Sequence, residues 1–192
     1  MSARGYGLTV LAGTAGGAAA VFCASQPWAR VTVETQGLAR DVVSVSGNDA
    51  VGIVGGTGLV VAAGSVAVLA SSGWVRRAVG AVVALAAVVG LVAVLSAPGG
   101  VHDALARALA DSPAMAGDAA MQERLADAAT ATWWRWGAAA GLTVGAVAGL
   151  ATVWLGAAWP SMGRRYDSIG QQRADADDDP WKALDRGEDP TV

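Results

Sequence analysis

The chain has 192 residues, of which 54% are hydrophobic and 15% are charged, and its formal net charge is −3. Ordinary soluble domains carry about 25% charged residues, so the composition argues against a soluble enzyme, and the negative charge argues against a nucleic-acid-binding protein. The composition indicates a membrane protein whose first partner is the lipid bilayer. One cysteine and one histidine exclude an intramolecular disulfide and any site that needs two histidines.

The first long apolar run, residues 5–25, follows Arg4 and contains no charged residue. Its length is sufficient to cross a bilayer, which takes about 20 residues. A cleaved signal peptide is the alternative, but the residues before Gln26 lack the small-x-small pattern of a cleavage site. We therefore expect a retained membrane-spanning helix.

Residues 26–50 form the first predicted extracytoplasmic loop. Within it, residues 31–34 and 43–46 alternate apolar and polar side chains, which is the pattern of a half-buried strand. Gly37 lies in turn-like sequence between them, so we expect a small β-hairpin. Two strands alone are only marginally stable in water, so this hairpin must pack on the bilayer or on the second loop.

Two further uncharged runs, residues 51–70 and 78–97, are each long enough to span the bilayer. Residues 71–77 separate them and contain Arg76 and Arg77. A connection this short predicts a tight antiparallel pair of spanning helices, with the two arginines in the turn on the cytoplasmic side.

Residues 98–136 form the second predicted extracytoplasmic loop. Alanine-rich stretches at 102–110 and 118–131 carry Leu or Met four residues apart, which predicts two short amphipathic helices lying on the membrane. His102 beside Asp103 is weak evidence for a metal or proton site, because the carboxylates around this single histidine are scattered. No nucleophile–base pair, phosphate loop or metal motif occurs elsewhere. We expect no catalytic residue, no metal and no cofactor.

The fourth apolar run, residues 137–159, has four glycines spaced four residues apart in its first half. These glycines share one face of a helix: Gly137, Gly141, Gly145 and Gly149. Glycines at this spacing let another helix backbone approach closely. One interpretation is packing within a four-helix bundle. The other is contact with a second copy of the chain or with another membrane protein.

Charges are absent from all four runs. Ionisable residues inside a bilayer mark proton and ion pathways, so a proton-coupled transporter made from one copy is not expected, whereas a passive channel made of several copies needs no such residue. Arginines flank the runs mainly on the side of the two termini, which predicts that this side is cytoplasmic. The topology anchors are Arg76, Arg77, Arg164 and Arg165, and Arg135 is an exception on the opposite side. Tryptophans near the ends of the runs, including Trp28, are typical of an aromatic belt.

Residues 160–192 form a polar cytoplasmic tail that includes an aspartate-rich run at 175–179, a composition typical of disorder. The segment 181–191 follows, and a short helical turn would place Trp181 and Leu184 on one face. Such side chains need a surface, which the membrane, the same chain or a cytosolic partner would provide. We take Trp181, Leu184, Asp185 and Arg186 as candidate docking residues for a cytosolic partner.

Four segments of the chain are similar to a known family. They are Gln26-Pro27-Trp28, Ser72-Gly73-Trp74 with Arg76-Arg77, the segment 159–166, and the tail segment 181–191. The chain resembles the actinobacterial tryptophan-biosynthesis-associated membrane proteins, which are also described as tryptophan-operon-associated. The resemblance implies a four-span inner-membrane protein encoded beside tryptophan-synthesis enzymes. It implies no established activity, cofactor or catalytic residue.

The predicted fold is an all-α membrane protein, a four-transmembrane-helix bundle with a small extracytoplasmic β-hairpin and a disordered cytoplasmic tail. Two functions fit this fold. The first is a non-catalytic membrane protein that tethers or regulates a partner through its tail. The second is a component of a transport system for tryptophan or a related indole compound. The uncharged spans favour the first function.

Overall fold

The structure is a computed structural model that describes residues 3–33, 41–111, 119–156 and 159. In this part of the chain there are seven helices and three strands. In chain order they are α1 (Ala3–Ser25), β1 (Pro27–Val33), β2 (Asp41–Ser46), α2 (Gly47–Ala50), α3 (Ile53–Ala70), α4 (Gly73–Leu95), α5 (Ala97–Ala110), α6 (Ala119–Asp127), β3 (Thr130–Ala131) and α7 (Trp134–Leu155). The predicted disordered tail lies outside the described residues.

Four of these helices, α1, α3, α4 and α7, are long and apolar enough to cross a membrane. The 23 residues of α1 correspond to about 35 Å of helix at 1.5 Å per residue, against a hydrocarbon core of about 30 Å. The predicted four-span, predominantly helical architecture is therefore confirmed.

The boundaries of two spanning helices differ from those of the uncharged runs. α4 begins at Gly73 rather than at residue 78 and so includes Arg76 and Arg77, and α7 begins at Trp134 and includes Arg135. An uncharged run marks only the part of a helix that lies in lipid, whereas the helix itself continues toward the headgroups. Gly73 has a φ of 57°, a left-handed conformation that glycine adopts without strain, and it turns the chain from α3 into α4.

The spanning helices form an up-and-down bundle in which α1 and α4 each pack beside α3 and α7. Neighbouring helices are antiparallel, because Gly13 lies against Ser65 whereas Gly17, further along α1, lies against the earlier residue Gly58. The start of α1, the end of α3, the start of α4 and the end of α7 therefore share one end of the bundle. We call this the Arg76 end, and the opposite end the cap end.

The cap, which we define as residues 27–33, 41–50, 97–110 and 119–132, contains a three-stranded sheet in the order β2-β1-β3. β1 and β2 pair antiparallel, with Arg30 opposite Ser44, which confirms the predicted hairpin. The loop that joins them lies outside the described residues. β3 adds Ala131 opposite Ala29. Because residues 130 and 131 pair with β1 as a strand, the helix predicted for 118–131 ends at Asp127.

The apolar side chains of the cap form their own core. Val31, Val33 and Val45 of the hairpin are buried in one cluster with Leu105 and Leu109 of α5. The apolar face predicted for the first amphipathic helix is thus covered by the sheet and is not free to lie on the membrane. The hairpin and the membrane are alternative surfaces for this face, and the hairpin provides a close-packed one within the same chain.

Trp28 joins the cap to the bundle. Its side chain is 2% exposed and belongs to the core of the bundle, and its Nε1 donates a hydrogen bond to the carbonyl of Cys23 at 2.9 Å. The indole packs so closely on Gly47 that a Cβ at that position would overlap the ring. Trp28 is therefore an internal contact and not a member of the aromatic belt, in contrast to Trp74, which is 78% exposed.

Candidate functional site

The glycine face of α7 lies inside the bundle. A Cβ on Gly141 would lie 2.5 Å from the carbonyl oxygen of Gly16 in α1, and a Cβ on Gly149 would lie 2.6 Å from the amide nitrogen of Ala84 in α4. Helix backbones therefore meet directly at both positions, which only a missing side chain permits.

The other two glycines of this face meet side chains. A Cβ on Gly137 would lie 2.8 Å from the sulfur of Cys23, and one on Gly145 would lie 2.5 Å from a methyl group of Val61 in α3. All four glycines thus contact helices of the same chain. The face is occupied within the bundle, so it offers no free surface for the alternative of contact with a second molecule.

Polar atoms in the spanning helices are few, and the helices themselves satisfy them. The hydroxyls of Thr57, Ser65 and Thr152 are buried and donate to the carbonyls of Val54, Val61 and Ala148 at 2.9, 2.7 and 2.9 Å. A gap in the bundle beside Ser65 and Thr152 is too small to hold a water molecule. The described part of the bundle therefore contains no polar path along its axis.

The arginines predicted as topology anchors have different environments. Arg76 is 3% exposed, and its Nε and Nη2 donate to the carbonyl of Ser71 at 3.1 and 2.9 Å. Its guanidinium lies 5.2 Å from the centroid of the Tyr6 ring. Arg77 is exposed. Arg76 is thus a buried structural cation as well as a flanking charge, because it compensates backbone carbonyls at the end of a helix.

The remaining predicted site residues lie outside the described residues. They are the anchors Arg164 and Arg165 and the candidate docking residues Trp181, Leu184, Asp185 and Arg186. Docking of the tail therefore stays a prediction.

A groove that the sequence did not predict lies in the cap beside the first turn of α7. It has a volume of about 230 Å³, and its lining combines the side chains of Trp28 and Trp136 with small and aliphatic residues of α5, α6 and β3. The ionisable residues that line it are His102 and Arg135. It is thus a small apolar groove whose ionisable lining groups, among the described residues, are basic.

The two basic side chains of the groove, His102 and Arg135, have different neighbours. Nε2 of His102 lies 3.2 Å from a carboxylate oxygen of Asp127, and Nδ1 lies 3.9 Å from a carboxylate oxygen of Asp103. The guanidinium of Arg135 lies over the ring of Trp136, 4.9 Å from its centroid. Among the described residues, no carboxylate lies within ion-pair distance of Arg135.

The sequence singles out one residue of the groove, Arg135, but not the groove itself. Arg135 is the exception to the arginine distribution, and it stands between Trp134 and Trp136. The pairing of His102 with Asp127 joins residues 25 positions apart, so only the fold brings them together. In the described ranges, no three His, Cys, Asp or Glu side chains form a group that could hold a metal ion.

Comparison with known proteins identifies the family. The sequence model of the family described as tryptophan-associated transmembrane protein matches residues 10–191, nearly the whole chain. Neither the curated proteins nor the solved structures contain a significant match. Four membrane-spanning helices agree with the family description. The chain belongs to the family of tryptophan-associated transmembrane proteins.

Proposed function

We propose that this protein is a non-catalytic, multi-pass protein of the plasma (inner) membrane that tethers or regulates a cytosolic partner of tryptophan biosynthesis. Both termini are cytoplasmic in this proposal, and the partner binds the C-terminal tail. The arginines that flank the spans on the side of the termini support this orientation.

The close packing of the bundle is the observation that carries the proposal. Helix backbones meet at Gly141 and Gly149, and the buried hydroxyls bond to carbonyls of their own helices. A solute that crosses a bundle needs polar groups or a cavity on its route. The described bundle therefore fits a membrane platform better than it fits a transport component for tryptophan or another indole compound.

The family match supports a role for the tail, because it extends through residue 191 and so includes the segment 181–191. In this proposal the preceding 14 residues, 166–179, act as a tether, and a flexible chain of this length has a typical reach of about 20 Å. That reach suits a partner at the membrane surface. The acidic run within the tether disfavours the anionic inner leaflet as the docking surface.

Deletion of residues 180–192 tests this proposal. We expect the shortened protein to insert and fold normally, since the bundle and the cap are complete without these residues, and we expect it to lose the co-purifying partner. A Lys182→Ala variant serves as the control and should retain the partner, whereas a Trp181→Ala, Leu184→Ala double variant should lose it. Recovery of the same partners by the shortened and full-length proteins would contradict the proposal.

A further inference from the structure

We propose that the groove in the cap binds a small aromatic carboxylate, with the anionic group on Arg135 and the ring against the apolar lining. This inference concerns the cap end of the bundle and does not depend on the function of the tail. Three properties of the groove support it: the charge of Arg135 without a counter-ion in the described residues, the availability of its N–H donors, and the size and lining of the space.

The charge of Arg135 has no protein counter-ion in the described part of the chain. Arg135 is half-buried in the first turn of α7, and a partly buried charge is costly to leave uncompensated. No Asp or Glu lines the groove in the described residues, and the nearby carboxylates Asp103 and Asp127 both lie against His102. The groove is therefore complementary to an anion.

The geometry of Arg135 leaves its donors available. The guanidinium carbon lies over the ring of Trp136, 4.9 Å from its centroid, and the side chain makes no hydrogen bond to another described residue. The five N–H donors of a guanidinium lie in its plane, and in-plane donors match the two oxygens of a carboxylate. The N–H donors of Arg135 are thus available for a bidentate contact with a carboxylate.

The size and lining of the groove indicate what kind of body the ligand has besides its carboxylate. A volume of about 230 Å³ is below the ~300–1,000 Å³ of sites that hold drug-sized ligands. One small molecule fits this space, whereas a phospholipid with its acyl chains does not. The exposed ring of Trp136 and the small and aliphatic residues around it favour a flat apolar body, because aromatic rings pack well on one another. A small aromatic carboxylate meets all of these requirements.

Calorimetric titration of the full-length protein in phosphatidylcholine nanodiscs tests the proposal, with indole-3-acetate as the probe. We expect saturable binding, and we expect the neutral amide of the same probe to bind about tenfold more weakly or worse, since it loses the charge-assisted contact. Arg135→Gln should weaken binding of the anion by a similar factor. Arg124→Gln is the matched control, because Arg124 is exposed on α6 and does not line the groove.

A second variant keeps the test decisive if Arg135→Gln does not fold. Ala131 is exposed at the rim of the groove, so Ala131→Phe should fill the space and abolish binding while Arg135 remains. Absence of binding to the wild-type protein, or equal binding by the wild type and a folded Arg135→Gln protein, would overturn the proposal. It would also be overturned if Arg135 proved to retain phosphatidylglycerol in mixed-lipid nanodiscs but not indole-3-acetate, since the groove would then serve a lipid headgroup.

Discussion

Nη1 of Arg76, near the start of α4, donates a hydrogen bond to the carbonyl of Gly156, which lies 80 residues further along the chain and 3.3 Å away. Gly156 is the C-cap of α7, and Ser71, whose carbonyl also accepts from Arg76, is the C-cap of α3. Helix C-termini carry partial negative charge and unpaired carbonyls. A single buried cation thus compensates the ends of two helices and joins them to the start of a third.

Substitution of Arg76 should weaken the bundle. In Arg76→Gln the charge is lost and carbonyls at the ends of two helices lose their donors, so we expect the free energy of unfolding to fall by about 2–3 kcal/mol. Thermal unfolding in detergent is the measurement. Arg77→Gln, which changes the exposed neighbour in the same way, should leave the midpoint almost unchanged. Equal unfolding midpoints for the two variants would show that the contacts of Arg76 do not stabilise the bundle.

The backbone contact at Gly149 should tolerate no large side chain. Gly149→Leu places its Cβ against the backbone of Ala84, which cannot move without displacing α4, so we expect a loss of at least about 1–3 kcal/mol. Gly145→Leu should cost less, because a Cβ there meets a side-chain methyl group of Val61 and not the backbone of a neighbouring helix. Gly56→Leu is the control, since a Cβ there meets nothing within 4 Å. A Gly149→Leu protein as stable as Gly56→Leu would contradict the packing.

The hydrogen bond of Trp28 should stabilise the packing of the cap on the bundle. Trp28→Phe removes the hydrogen bond to the carbonyl of Cys23, which keeps a longer bond from the amide of Gln26, so we expect a loss of about 0.5–1.5 kcal/mol and faster proteolysis within the cap. Trp74→Phe makes the same change at an exposed position. We expect it to have no effect, and proteolysis that is equally fast in both variants would argue against the role of Trp28.

The sequence was sufficient to predict the main elements of the fold. Four long uncharged runs predicted four spanning helices, because no other structure satisfies the backbone of such runs in lipid. Alternating side chains at 31–34 and 43–46 predicted the hairpin. β3 was missed, since two residues cannot show a period. The starts of α4 and α7 lie before the uncharged runs, because the helices continue beyond them toward the headgroups.

The groove in the cap could not be predicted from sequence patterns. His102 was recognised as unusual, but Asp127 is brought to it only by the packing of α5 against α6. The environment of Arg76 was also hidden, because an arginine that flanks a span is expected to face water or headgroups. Its burial depends on carbonyls from α3 and α7, which are remote in the sequence.

Cysteine-accessibility mapping tests the orientation of the chain. In a Cys23→Ala background, we expect single cysteines at positions 37 and 117 to react with an impermeant reagent from outside the cell, and a cysteine at position 168 to react only after permeabilisation. This pattern follows from the arginines that flank the spans on the side of the termini. Labelling of position 168 in intact cells would contradict the predicted orientation and place the C-terminus outside the cell.

Photo-crosslinking in cells from position 181, with position 168 as the control, tests the tethering function most directly. We expect position 181 to yield one dominant crosslink to a cytosolic enzyme of tryptophan synthesis, and position 168, within the tether, to yield far less of it. A free peptide of residues 180–192 should compete for this crosslink in membrane preparations. Crosslinks from position 181 to lipid alone, or to no cytosolic protein, would contradict the proposed function.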